Sequence, residues 1–129
     1  MTCTVLSIED NSGFQQILHA ALQQEGYRVV EAQGGKAGVD LARELLPEII
    51  LLDAQLMQGH EGVNLCRVIA SDPRTSHIPI VMLSAVDDEA ALEAGLAAGA
   101  KGYLVRPFYA RELVALVARL LNQRMDAQA

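Results

Sequence analysis

The chain has 129 residues, enough for one compact core and short for two. Hydrophobic residues at 51% against 20% charged exclude a disordered chain, and aromatics at 4% with no Trp require an aliphatic core. Ten Lys and Arg against sixteen Asp and Glu leave a net charge of −6, which argues against a phosphate-neutralising grip on nucleic acid and suits a cation or a basic partner surface.

Cys3 and Cys66 are too few and too far apart for a disulfide scaffold or a zinc site, and fit a reducing cytosol. No apolar run reaches the length of a membrane span, and the start MTCTVLSIEDNS lacks the basic region of an export signal. The expectation is a cytoplasmic protein without a membrane segment.

In chain order, Thr4 to Ile8 reads as a first strand, apolar on both faces. A helix follows, with Phe14, Ile17, Leu18, Ala21 and Leu22 as its stripe, Ser12 and Gln15 at capping-box spacing, and Gly26 as its stop. Tyr27 to Ala32 is the second strand, and Gly38, Leu41, Ala42 and Leu45 mark the second helix. Pro47 precedes the third strand, Ile49 to Leu52, and Leu65, Cys66 and Ile69 mark the third helix. Pro79 precedes the fourth strand, Ile80 to Leu83. Asp87 is placed to cap a fourth helix with Leu92 and Leu96 as its stripe and Gly99 as its end. Gly102 to Val105 forms the fifth strand, and Leu113, Leu116, Val117, Leu120 and Leu121 line the last helix. Residues 1–124 make one domain, with 125–129 as a tail or the start of a linker.

Five such units predict an α/β fold, a doubly wound five-stranded parallel sheet flanked by five helices. Sheets of this kind carry their functional groups at the carboxyl ends of the strands. There the sequence places Glu9 and Asp10, then Asp53, Ser84 and Arg106, each directly after an apolar run. Glu9-Asp10 alone also reads as a helix-capping pair, Ser84 as a loop start, Arg106 as a surface charge and Tyr103 as an edge-strand aromatic. Gathered at one edge, three carboxylates repel one another unless a cation intervenes. Mg²⁺ suits them, since it takes oxygen ligands and often shares carboxylates with a phosphate. A hydroxyl and a guanidinium beside them add donors for phosphoryl oxygens. His19, His60 and His77 have no partners at metal or triad spacing, and Gly34 to Gly38 lacks the spacing of a phosphate-binding loop.

The stretches VLSIEDN (5–11), PEIILLDAQLMQGHEG (47–62), IPIVMLSA (78–85) and AGAKGYLVRPF (98–108) resemble, in order and spacing, the receiver domains of bacterial response regulators. The resemblance covers nearly the whole chain and implies a flavodoxin-like receiver fold with strand order 2-1-3-4-5. It makes Asp53 the phosphoacceptor in two-component signalling, with no reaction on a metabolite. Asp10, Asp53 and the backbone carbonyl of Gln55 would bind Mg²⁺, and Glu9 would act through metal-bound water. Ser84 would bond the phosphoryl group, and Tyr103 would be the aromatic that swings inward on activation. The implied partners are a sensor histidine kinase or phosphotransfer protein, and a downstream protein or output domain on the face of the fourth helix, fifth strand and fifth helix. A homodimer is left open, with no direct nucleic-acid or membrane contact. The resemblance also implies a cis peptide between Arg106 and Pro107.

The chain departs from that pattern in two places, at Arg106 and in the loop after Asp53. Arg106 stands where the family nearly always has Lys, and a planar fork is not interchangeable with a point charge. It is expected either to neutralise a phosphoryl group or to pair in the resting state with Asp10 or Asp53. Met57 replaces a usual Pro, and Gly62 closes the loop one residue late. The alternative to a phosphorylation switch is therefore a pseudo-receiver, a protein-interaction module that phosphorylation does not control.

Overall fold

The computed structural model describes residues 3–9, 12–54, 61–84 and 89–128, with the backbone alone at 12–15, 61 and 124–128. Five strands and five helices alternate: β1 (Thr4–Ile8), α1 (Ser12–Gln24), β2 (Arg28–Ala32), α2 (Gly35–Leu45), β3 (Ile49–Asp53), α3 (Glu61–Ser71), β4 (Ile80–Ser84), α4 (Glu89–Ala98), β5 (Gly102–Val105) and α5 (Ala110–Gln128). The strands form one sheet in the order β2-β1-β3-β4-β5, and every pairing is parallel. Fold class and strand order are as expected.

Period-2 alternation divides the core in two. Leu6, Ile8, Ile50, Leu52, Ile80 and Met82 belong to the face covered by α2, α3 and α4. Val5, Ile49, Leu51, Val81 and Leu83 belong to the face covered by α1 and α5. β3 and β4 are buried along their full length, because each has a neighbour strand on both sides and helices above and below. Gly26 and Gly99, expected to stop helices, have φ of 91° and 123°, which a side chain would disfavour.

Two helix faces differ from expectation. In α1, Leu18 and Leu22 are buried, but Ile17 is 64% exposed and His19 is buried in its place. His19 Nδ1 meets Glu31 Oε1 of β2 at 2.7 Å, so its burial is compensated at that nitrogen. In α4, Leu96 is exposed and Ala91 and Gly95 face inward, with Ala94 and Ala98 beside them. A Cβ on Gly95 would reach 3.1 Å from Met82, so small residues let α4 lie close to the sheet. Of the two leucines on α4, Leu96 is left outside and Leu92 is half-buried. α5 also runs past residue 124 to Gln128, over a stretch of Gln, Arg, Met and Ala that favours helix. Of the expected capping residues, Asp87 lies outside the described residues, and Ser12 and Gln15, like Phe14, are described by backbone alone.

Candidate functional site

The register brings the expected groups to one edge of the sheet. Ile8 lies beside Leu52, so Glu9 and Asp53 leave adjacent strands at the same level. Asp53 is beside Leu83 and Ser84 beside Val105, which puts Arg106 one residue beyond. Three backbone bonds carry the ladder past the strand ends: Glu9 N–H to Ala32 O at 3.3 Å, Ala54 N–H to Leu83 O at 2.9 Å and Arg106 N–H to Ser84 O at 2.8 Å. The Arg106-Pro107 peptide is cis, as expected.

Glu9, Asp53 and Ser84 are all buried, Glu9 and Ser84 at 0% exposure. Buried carboxylates are tolerated only with compensating charge or hydrogen bonds. Arg106 supplies the charge: its Nη2 donates to Glu9 Oε1 at 2.9 Å, and its Nη1 stands 3.6 Å from Asp53 Oδ1. One guanidinium is thus bracketed by two carboxylates. Resting pairing of Arg106 with Asp53 is found, but Glu9 is the shorter contact and was not among the expected partners. Asp10 and Gln55, both expected at the metal, and the loop containing Met57 lie outside the described residues.

Ser84 Oγ is fully buried and has no hydrogen-bond partner among the described residues. A buried hydroxyl left without a partner costs free energy. Hard oxygen donors on Glu9 and Asp53 are the chemistry Mg²⁺ prefers. Among the described residues, no group of three or more His, Cys, Asp or Glu is arranged around a common metal position. The donor set fits the ion in type, and Asp10 follows Glu9 directly in sequence.

The late glycine also has a structural purpose. Gly62, second residue of α3, lies against the backbone that carries Asp53. A Cβ there would come within 2.6 Å of Ala54 Cα and nearer still to the Asp53 carbonyl oxygen. The sequence showed Gly62 only as a displaced loop residue; contact with the β3 end is what demands glycine.

Tyr103 is 46% exposed on β5. With Leu96, Lys101, Leu104, Leu116 and Arg119 it lines a groove of about 610 Å³ along α4, β5 and α5. No described helix is long and apolar enough to cross a membrane.

A family model described as "Response regulator receiver domain" matches residues 5–118. The chain is 35% identical over 125 residues to the DNA-binding response regulator MtrA of Mycolicibacterium paratuberculosis, covering 97% of this chain and 54% of that protein. It is 36% identical over 107 residues to the response regulator PleD of Caulobacter vibrioides, covering 83% of this chain and 23% of that protein. The chain spans about half the length, or less, of these curated relatives. Among solved structures, the chemotaxis response regulator CheY4 of Vibrio cholerae superposes with a TM-score of 0.83 at 25% identity, covering 93% of this chain and 99% of that one.

Proposed function

The chain belongs to the response regulator receiver domain family, and on that premise we propose that Asp53 is its phosphoacceptor and that phosphorylation switches a protein-interaction surface. The observation that carries the reading is the edge itself: buried Glu9 and Asp53 bracketing the Arg106 guanidinium, with Ser84 at the end of the adjoining strand, its hydroxyl without a hydrogen-bond partner among the described residues. A carboxylate oxygen of Asp53 attacks phosphorus, the P–N bond of a kinase phosphohistidine breaks, and its electron pair returns to the imidazole nitrogen. Ser84 Oγ then donates to a phosphoryl oxygen, and Arg106 balances the added charge of about −1.5 to −2. Asp10, Asp53 and the Gln55 carbonyl would hold Mg²⁺, with Glu9 acting through water. The ion, when bound, supplies positive charge that offsets repulsion between the carboxylates and the incoming phosphoryl oxygens.

The response surface in this reading is the groove along α4, β5 and α5. Tyr103 lines it in an outward position and would turn inward as Ser84 engages the phosphoryl group. Sensor kinases or phosphotransfer proteins are the proposed donors, and a downstream protein or output domain the recipient.

The pairing of Arg106 with both carboxylates favours one second reading, a pseudo-receiver whose site is already neutralised. Beryllofluoride with Mg²⁺ separates the two. For the switch, the analogue raises Tm of the wild type and shifts the Tyr103 resonances, and Asp53→Asn abolishes both effects. Neither effect in the wild type would establish the pseudo-receiver. Arg106→Lys is expected to enlarge the Tyr103 shift, because a flexible ammonium discriminates better between the two states than a guanidinium already satisfied at rest.

A further inference from the structure

His19 is a buried imidazole that the strand-end site does not use. The residue is 6% exposed, and its Nδ1 lies 2.7 Å from Glu31 Oε1 on the edge strand β2. Its second nitrogen, Nε2, is buried with no hydrogen-bond partner among the described residues, and the same holds for Ser7 Oγ on β1. Ser7 is 1% exposed. The sheet register relates the two atoms. Ser7 is the Cα partner of Glu31 across β1 and β2, and of Leu51 across β1 and β3. Alternation sets Ser7 with Val5 and Glu31 with Val29, on the face that α1 covers with Leu18 and Leu22. The hydroxyl therefore lies one strand inward from the carboxylate that holds the ring.

We propose that Ser7 Oγ and His19 Nε2 form an internal site for a single water molecule that bridges α1 to β1. The Glu31 side chain is 42% exposed, so Nδ1 faces the open edge of the sheet and the buried Nε2 turns inward, over β1. Serine at position 7, between Leu51 and Glu31 and after Val5 on the same face, leaves room that a larger apolar side chain would fill. A buried water typically makes about three hydrogen bonds and needs at least two polar partners, which these atoms supply. Glu31 accepts the Nδ1 proton, so Nε2 of the neutral ring keeps a lone pair for a water O–H. The Ser7 hydroxyl donates or accepts, and meets the same water in either sense. Buried without such a partner, each group would bear its full desolvation cost. The bridge completes a chain of Glu31, His19, water and Ser7 from the rim of the sheet to its interior. Glu9 follows Ser7 by two residues, and its N–H bonds to the carbonyl of Ala32, the neighbour of Glu31, at 3.3 Å. The water thus fastens α1 to both strands just beneath the acidic edge, whether or not Asp53 is the phosphoacceptor.

A high-resolution crystal structure of the wild type and a double-mutant cycle test it together. The crystal should show one ordered water at about 2.7–3.2 Å from both Ser7 Oγ and His19 Nε2. In the cycle, Ser7→Ala removes the hydroxyl, and His19→Asn keeps a donor for Glu31 while removing Nε2. Each change alone should lower the folding equilibrium constant in urea unfolding. Once either end is gone the bridge is already broken, so the double variant should lose about fivefold less than the product of the two single losses. A crystal with no water on the two atoms, with a water on only one of them, or with a direct Ser7–His19 hydrogen bond would overturn the site. Single losses that simply multiply would overturn it as well. Should either variant fail to fold, the wild-type crystal decides by itself.

Discussion

Two clusters of arginine and carboxylate in this molecule are built with opposite stoichiometry. At the strand ends, Glu9 and Asp53 bracket one guanidinium in a buried setting. At the far end of α3, one carboxylate is shared by two guanidiniums: Asp72 meets Arg43 of α2 at 2.8 Å and Arg74 at 3.2 Å. The Arg74 backbone N–H adds a third donor to Asp72 at 2.9 Å. That N–H, the Arg74 side chain and Arg43 together hold the Asp72 carboxyl well below the usual carboxylate range. Asp72 is saturated with donors and serves as a clasp between α2 and the turn after α3. Among the described residues, the strand-end cluster gathers acid around one guanidinium near a buried hydroxyl that has no hydrogen-bond partner there, and that arrangement suits an incoming metal and phosphoryl group. Charge balance separates the two clusters.

The comparison breaks most sharply at Arg106. Arg106→Met leaves Glu9 buried without its closest counter-charge, and without Mg²⁺ the loss is expected to be on the order of 3 kcal/mol in urea unfolding. Mg²⁺ should recover part of that loss, a recovery with no counterpart at Asp72. Gly62→Ala forces α3 away from the β3 end and should cost about 2 kcal/mol by overpacking. Its labelling at Asp53 should fall as well, since the displaced backbone carries the acceptor.

Asp72→Asn should lower Tm modestly at neutral pH. Because the folded carboxyl titrates below its unfolded value, the stabilisation is present above the ordinary Asp range of about 4 and is lost as pH falls toward the folded value. The gap in Tm between wild type and Asp72→Asn should therefore close in acid, and a gap that persists there would refute the clasp. The smallest effect belongs to Cys66, whose thiol is pushed up to about 11 by burial. A raised folded value stabilises below the unfolded thiol range of about 8.5 and is lost as pH rises toward 11. Cys66→Ala should flatten the alkaline limb of the stability profile, and thiol reagents should label Cys3 before Cys66.

The sheet was legible because apolar runs of strand length between helical stripes leave few other arrangements. Polar residues directly after those runs identified Glu9, Asp53, Ser84 and Arg106 as neighbours. The faces of α1 and α4 were misread because pattern counting rewards large apolar side chains. Ile17 and Leu96 lie outside, while His19 is accommodated by Glu31 and α4 packs through Ala91 and Gly95. The shorter contact of Arg106 with Glu9 than with Asp53 is a matter of side-chain geometry, which no periodicity encodes. The need for glycine at 62 likewise arises from a contact between α3 and the β3 end that only the folded chain creates.

The central claim is that the acid at the end of β3 accepts the phosphoryl group, and acetyl phosphate labelling read by intact mass tests it most directly. With Mg²⁺ present, the wild type should gain a single phosphoryl group and Asp53→Asn none. An unlabelled wild type, or an Asp53→Asn protein labelled to the same extent, would contradict it.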